Sequence, residues 1–401
     1  MPIMNTQNTE PFRNMLELIK VSLYGGTAPE VTGRDFEELK NHTVAALAAP
    51  VLSSVRTDPD TRREWKKAII QQVTGYEKNK YEQEQLPVSV PYVILKGTSA
   101  AQYYPYPEYR AVGDIDIMTR REDFTAACES LLRHGYREVT RREDAEFGRH
   151  RSFSKNGIEI EIHAFFALLN DPRKTEWMDS LIIRHINPSH VLPDDVNGLV
   201  LLEHIDQHLE SGLGLRQIID WMMFVNRCLP DEQWPAFEKM TEKIGLRQLA
   251  LVTTRMSEIY LGLPAHRFCE HIDPAPCGQL MEYVLQCGNF GSKQKNADEA
   301  DVKVLTYART PAAILRHLQA RGLMNWDAAQ RHPVLRPAAW LYQVFRYLRT
   351  GFRKAGRTDL KSSYETAKER VALFDSLGVT QASKGLAVYK NDEYTRTYQR
   401  P

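Results

Sequence analysis

Asp114 and Asp116 stand one residue apart in GDIDIM, residues 113–118, and alternate with Ile115 and Ile117. Acids are depleted from strands and are seldom buried without partners, so an apolar run that carries two of them needs a reason. A strand repeats every two residues, which puts both carboxylates on one face and both isoleucines on the other. Carboxylates that close repel each other unless a cation sits between them. Mg²⁺ takes oxygen ligands, commonly one or two carboxylates together with substrate phosphates. Two such ions can clamp the attacking and leaving oxygens of a phosphoryl or nucleotidyl transfer, and Mn²⁺ serves in the same kind of site.

That chemistry calls for a third carboxylate from a neighbouring strand. In GIEIEIHA, residues 157–164, Glu159, Glu161 and His163 share one face while Ile158, Ile160 and Ile162 share the other. Glu161 is central on the acidic face and is the first choice for the third ligand, with Glu159 second. His163 could bind a phosphate or orient Glu161. Upstream, LKGTSAAQYY reads as a strand ending at Gly97, a hydroxyl residue and a helix N-terminus, a combination suited to cradling phosphate. Thr98 can offer its hydroxyl, and Lys96 or Arg110 a positive charge for a triphosphate. Each piece alone has a plainer explanation: a lone DxD is as often the solvated face of a half-exposed strand, and a glycine after a strand is usually only a turn.

The elements that would position these residues follow from periodicity. From Phe12 to about Glu84 the pattern is helical, and Pro87 and Pro91 end it. YVIL, DIDIMT and the two arms of RSFSKNGIEIEIHA read as strands, the last pair joined by an Asn156-Gly157 hairpin turn. REDFTAACESLLRHGY is helical, with Phe124, Ala127, Cys128, Leu131 and Leu132 as one stripe and Gly135 as its stop. After Pro188 almost everything reads as helix. The fold class is therefore α+β, a mixed sheet with helices flanked by helical regions. The expected division is a helical region over 1–90, an α/β core over 91–190, a helical domain over 191–288, and a loop with basic helices over 289–401.

The 401 residues carry a net charge of +1 with 42% hydrophobic and 26% charged residues, an ordinary globular composition. Five cysteines without a CxxC pair argue against a disulfide framework or a zinc ribbon. With no apolar signal core and no long apolar run, the expectation is a cytoplasmic protein without a transmembrane segment. Residues 302–361 hold twelve Lys/Arg against Asp327 and Asp359, and WLYQVFRYLRTGFRKAGR interleaves aromatics with arginines. That pattern suits nucleic acid or another polyanion, although such runs are more often a solvated helical face. His204 and His208 lie four apart on a helix but lack the HExxH arrangement of zinc proteases. Arg216 and Asp220, also four apart, suit an intrahelical pair.

Taken in order, the strand–Gly–hydroxyl element, the DhD strand (h apolar) and the distant acid resemble the nucleotidyltransferase superfamily typified by DNA polymerase beta and kanamycin nucleotidyltransferase. The likeness is closer to the bacterial family of uncharacterised nucleotidyltransferases, through LKG, YR…GDIDIM, HGY, IEIH, GLGLRQIIDW and GNFG between Leu95 and Gly291. This resemblance implies that Gly97 and Thr98 hold a triphosphate, that Asp114 and Asp116 bind the metals, and that Glu161 is the third acid. It implies Mg²⁺ or Mn²⁺ as cofactor and an NTP as substrate, with NMP passing to an acceptor hydroxyl on a small molecule, protein or RNA. Thr98 replaces the superfamily's usual serine, and the fifteen residues Ser99–Gly113 make a longer gap than is common. Lys96 belongs to the closer family's pattern only. Other readings are a DxD glycosyltransferase using a nucleotide sugar, or a non-catalytic nucleotide-binding module. The sequence does not specify an oligomeric state.

Overall fold

The computed structural model describes residues 12–140, 149–209, 212–291 and 293, isolated positions between 306 and 329, and residues 332–354 and 360–379. The chain forms two compact units, one made of Met1–Ala167 with Arg173–Gln294 and the other of Leu168–Pro172 with Lys295–Pro401. Every candidate site residue lies in the first unit.

That unit is built on a five-stranded mixed sheet in the order β1-β2-β5-β4-β3. The strands are β1 (Tyr92–Leu95), β2 (Ile115–Thr119), β3 (Arg137–Glu138), β4 (His150–Lys155) and β5 (Ile158–His163). β1 and β2 are antiparallel, β2 and β5 parallel, and β5 and β4 form an antiparallel hairpin. Its turn is Asn156-Gly157, both at positive φ (54° and 76°), the backbone that a two-residue hairpin matching strand twist requires. With a helical α1 (Arg13–Tyr24), α2 (Gly33–Asn41) and α3 (Pro59–Glu84) before the sheet and helices dominating after it, the architecture is α+β.

The interior position of β2, between β1 and β5, explains its composition. Ile115, Ile117 and Met118 are at most 2% exposed, and so is the neighbouring Ile160 and Ile162 pair on β5. Burying each such side chain is worth about 1.5–3 kcal/mol, enough to fix the two strands against each other. β2 is covered on both faces, so Asp116 is buried too rather than lying on a solvated strand face. After α4 (Gly97–Ala101), helix α5 (Phe124–Arg133) packs on β5 through Phe124, Ala127, Cys128 and Leu131. Leu132, expected on the same stripe, is exposed, because it falls one step further round at the helix's last turn.

Two helical features hold the segment that leads into β2. α3 starts from an Asp58 side-chain cap with Pro59 at its first position. Along one face it presents Gln72 to the Arg110 carbonyl (3.0 Å), Asn79 to the Gly113 carbonyl (2.9 Å) and Gln83 to the Thr98 hydroxyl. The second support comes from α6 (Pro172–Arg184), α7 (Asp194–Leu209), α8 (Leu215–Cys228), α9 (Trp234–Ile244), α10 (Arg247–Leu261) and α11 (Pro274–Cys287). α8 packs between α7 and α10, and the buried Trp221 indole donates to Thr254 at 3.0 Å. α6 contributes Asp179, which accepts the backbone N–H groups of Phe166 and Ala167 just beyond β5.

In the second unit, α12 (Ala339–Lys354) and α13 (Leu360–Ser376) are helical, and Trp326 stacks on Tyr342. Arg336, Arg346 and Arg349 are exposed there. Much of the basic stretch 302–361, and most of the expected loop 289–301, fall outside the described residues. Among the described residues, no helix is long and apolar enough to cross a membrane.

Candidate active site

Register brings the predicted acids together. Asp116 on β2 lies directly opposite Glu161 on β5, and the parallel pairing points both from the same side of the sheet. His163, two residues on, shares that side, and its Nε2–H donates to Asp116 Oδ1 at 2.8 Å. The same nitrogen is 3.5 Å from Glu161 Oε2. From β4, Ser152 lies opposite Glu161 and donates its hydroxyl at 3.4 Å, while His150 Nε2 stands 3.5 Å from Glu161 Oε1. Asp116 is 3% exposed and His163 1%.

Lys96 completes the cluster from the end of β1, its Nζ 2.7 Å from the same Asp116 oxygen that His163 contacts. Asp114 occupies the bend before β2, not the strand itself, on a backbone whose Gly113 carbonyl Asn79 holds. The charges are unevenly distributed. Asp116's charge, then burial, push the Asp114 carboxyl up to about 6 against the pull of Lys96. Burial opposes ionisation of Glu161, but hydrogen bonding to His163 and the charges of His163, His150 and Lys96 outweigh it and hold it ionised well below the usual range. Burial, reinforced by His163, lowers His150 to about 4, so it is neutral near pH 7.

The turn between β1 and α4 is unusual. Lys96 has φ 51° and ψ −143°, and Gly97 follows at φ 43°. A non-glycine residue there costs on the order of 1–3 kcal/mol, a strain that persists only where surrounding structure imposes it. A Cβ on Gly97 would meet nothing nearer than the Asp114 carbonyl at 3.8 Å, so its need for glycine is conformational. The Thr98 hydroxyl donates to Gln83, and Ser99 donates to Asn197 on α7 at 2.9 Å. Arg110 is buried in a bidentate pair with Asp220 of α8 (2.9 and 2.6 Å), and Tyr104 donates to the same carboxylate at 2.8 Å. Arg216, on the same helix, donates to the Ala111 carbonyl at 3.2 Å. Glu159 is exposed on β5, away from the buried cluster.

The ligand atoms of Asp116, Glu161 and His163 all lie within 4.8 Å of one another, a group able to hold a metal ion. An acidic pair on adjacent parallel strands, a cation from the preceding β-turn and a family model matching residues 37–262 converge on one assignment. The chain belongs to the uncharacterised nucleotidyltransferase family. The family's match starts within α2, runs through every residue of the cluster and α8, and ends just after α10. It therefore stops short of the GNFG segment on which part of the resemblance rested. Comparison with curated proteins and with solved structures gave no match.

The cluster contains features that sequence patterns expose poorly. Lys96 reads as a residue for nucleotide, yet its ammonium lies on Asp116. Arg110, read the same way, is occupied by Asp220, over a hundred residues away. The sequence spacing suited an intrahelical Arg216–Asp220 pair and did not name Arg110, which Asp220 holds across the fold. Ser152 enters only because the hairpin register puts it opposite Glu161, and the same register sets His150 opposite His163.

Proposed function

We propose that this site transfers a nucleoside monophosphate from an NTP to an acceptor hydroxyl. The observation that carries the reading is the in-register Asp116–Glu161 pair with His163, whose ligand atoms converge within 4.8 Å. Two carboxylates and an imidazole, with ligand atoms within 4.8 Å of one another, fit a divalent ion. An imidazole beside carboxylates suits Mn²⁺ better than Mg²⁺, which favours all-oxygen octahedral sites. Bound there, the ion would neutralise phosphate charge and polarise the α-phosphorus.

The chain's own residues supply the rest. Gly97 brings backbone close to the triphosphate, with Thr98 beside it. Asp114, raised to about 6, has a stronger claim than the deeply ionised Glu161 to take the acceptor's proton, since a base near neutrality is the more effective one. The acceptor oxygen then bonds to the α-phosphorus, the bond from that phosphorus to the bridging oxygen breaks, and pyrophosphate leaves. Positioning and fixed charge provide most of the rate.

The test is label transfer from each α-labelled NTP, with Mg²⁺ or Mn²⁺, into protein, RNA or small-molecule fractions of a cell extract. Asp116→Asn should lower transfer by at least about 100-fold, the scale of losing one preorganised charge contact. Calorimetry that found no metal-dependent NTP binding would overturn the reading.

A further inference from the structure

The Lys96 ammonium lies among three carboxylates, and the fold distorts the residue's backbone to put it there. We infer that its ammonium is the site's second cation, so that nucleotidyl transfer here uses one divalent ion, held by Asp116, Glu161 and His163, where related chemistry uses two. The inference rests on the nucleotidyl-transfer reading above.

Three observations support it. In a two-ion site one carboxylate oxygen is shared between the metals, about 3.5–4 Å apart. Asp116 Oδ1 is already shared, between Lys96 Nζ at 2.7 Å and His163 Nε2 at 2.8 Å, so an ammonium fills one of its two sides. Second, Asp114 stands outside the group whose ligand atoms lie within 4.8 Å of one another, and that group makes one ion's worth of ligands. Asp114 instead acts on Lys96 by its charge. Third, the fold holds the ammonium in place: its Nζ lies on an Asp116 that is 3% exposed, and its backbone takes φ 51° to reach it. Phe166 closes another side at 5.9 Å.

An ammonium can stabilise developing phosphate charge by hydrogen bonding but, unlike a metal, has no vacant orbital with which to bind and acidify the acceptor hydroxyl. That division of labour gives Asp114 its task as base.

Bound Mn²⁺ is counted by equilibrium dialysis with a saturating α,β-methylene NTP. The native chain should hold one Mn²⁺, and Lys96→Met, which keeps the apolar stem, should hold two. Lys96→Gly, which relieves the positive φ, should behave as Lys96→Met does, and adding Asp114→Asn should return either variant to one. Two ions in the native chain, or one in both Lys96 variants, overturns the inference and leaves nucleotidyl transfer standing. A native chain that binds neither Mn²⁺ nor the analogue defeats the nucleotidyl-transfer reading itself, and the inference with it.

Discussion

Two buried groups of charge lie in the same unit and are built on opposite plans. Arg110, Asp220 and Tyr104 form a closed set: both Asp220 oxygens are bound, and the guanidinium donates to them bidentately and to the Ala111 carbonyl. The group around Asp116 is open. It has three carboxylates around Lys96, a carboxyl forced up to about 6, and a histidine with one nitrogen unpartnered. A fold satisfies polar groups that serve only its own stability, since burying them otherwise costs 1–3 kcal/mol each. Excess charge of one sign, held in place by strained backbone, indicates a ligand of the opposite sign.

The comparison breaks most sharply at Asp220. Asp220→Ala strands a guanidinium that is 3% exposed, and a tyrosine hydroxyl, without their acceptor. Removing one partner of a buried pair costs about 3–5 kcal/mol, and denaturant unfolding should show a loss of that size. Asp116→Asn, by contrast, keeps an oxygen acceptor for Lys96 and His163 and relieves repulsion with Asp114, so it should cost less stability than Asp220→Ala while transfer collapses. Equal losses of stability in the two variants would mean that both groups are structural.

A smaller effect tests the open group directly. Asp114 rises from an ordinary 3.8 to about 6 because of Asp116 and burial, so its ionised form costs the metal-free fold about 3 kcal/mol. The protonated form is the stable one. Its contribution is complete below the unfolded value and is lost as pH climbs through about 6. Metal-free protein should therefore lose stability between about pH 4 and pH 7 relative to Asp114→Asn, and saturating Mn²⁺ should remove the difference. Parallel curves for the two proteins would place Asp114 in water.

How much of this the sequence shows depends on the range of each interaction. Period-two alternation revealed β2 and β5, and Asn156-Gly157 revealed the β4–β5 hairpin, because both signals are local. The same alternation picked Asp116, Glu161 and His163, since residues sharing a strand face stay neighbours in any fold. It did not show that the acidic face is buried, because cover comes from elements far away in the chain. Nor did it pair Arg110 with Asp220 or turn Lys96 onto Asp116, contacts set by how α8 and the β1 turn pack. The long gap Ser99–Gly113 looked awkward for a phosphate loop, and in the structure α3 and Asp220 hold it at successive points.

The smallest effect concerns Gly97, which belongs to the open group by position and to neither by charge. Alanine there fits sterically, with the Asp114 carbonyl at 3.8 Å, but must adopt φ 43°. The left-handed backbone costs an L-residue about 1–2 kcal/mol, so Gly97→Ala should destabilise by that amount if the turn keeps its shape. If the turn relaxes instead, stability recovers, and Lys96 leaves the Asp116 oxygen that its own strained φ now supports. The two cases separate on one measurement, Mn²⁺ affinity. A rigid turn leaves it unchanged, whereas a relaxed one withdraws the competing ammonium and strengthens it. Strengthened binding with little loss of stability would show that the strain at Lys96 and Gly97 keeps a cation on Asp116, and that the open group depends on it.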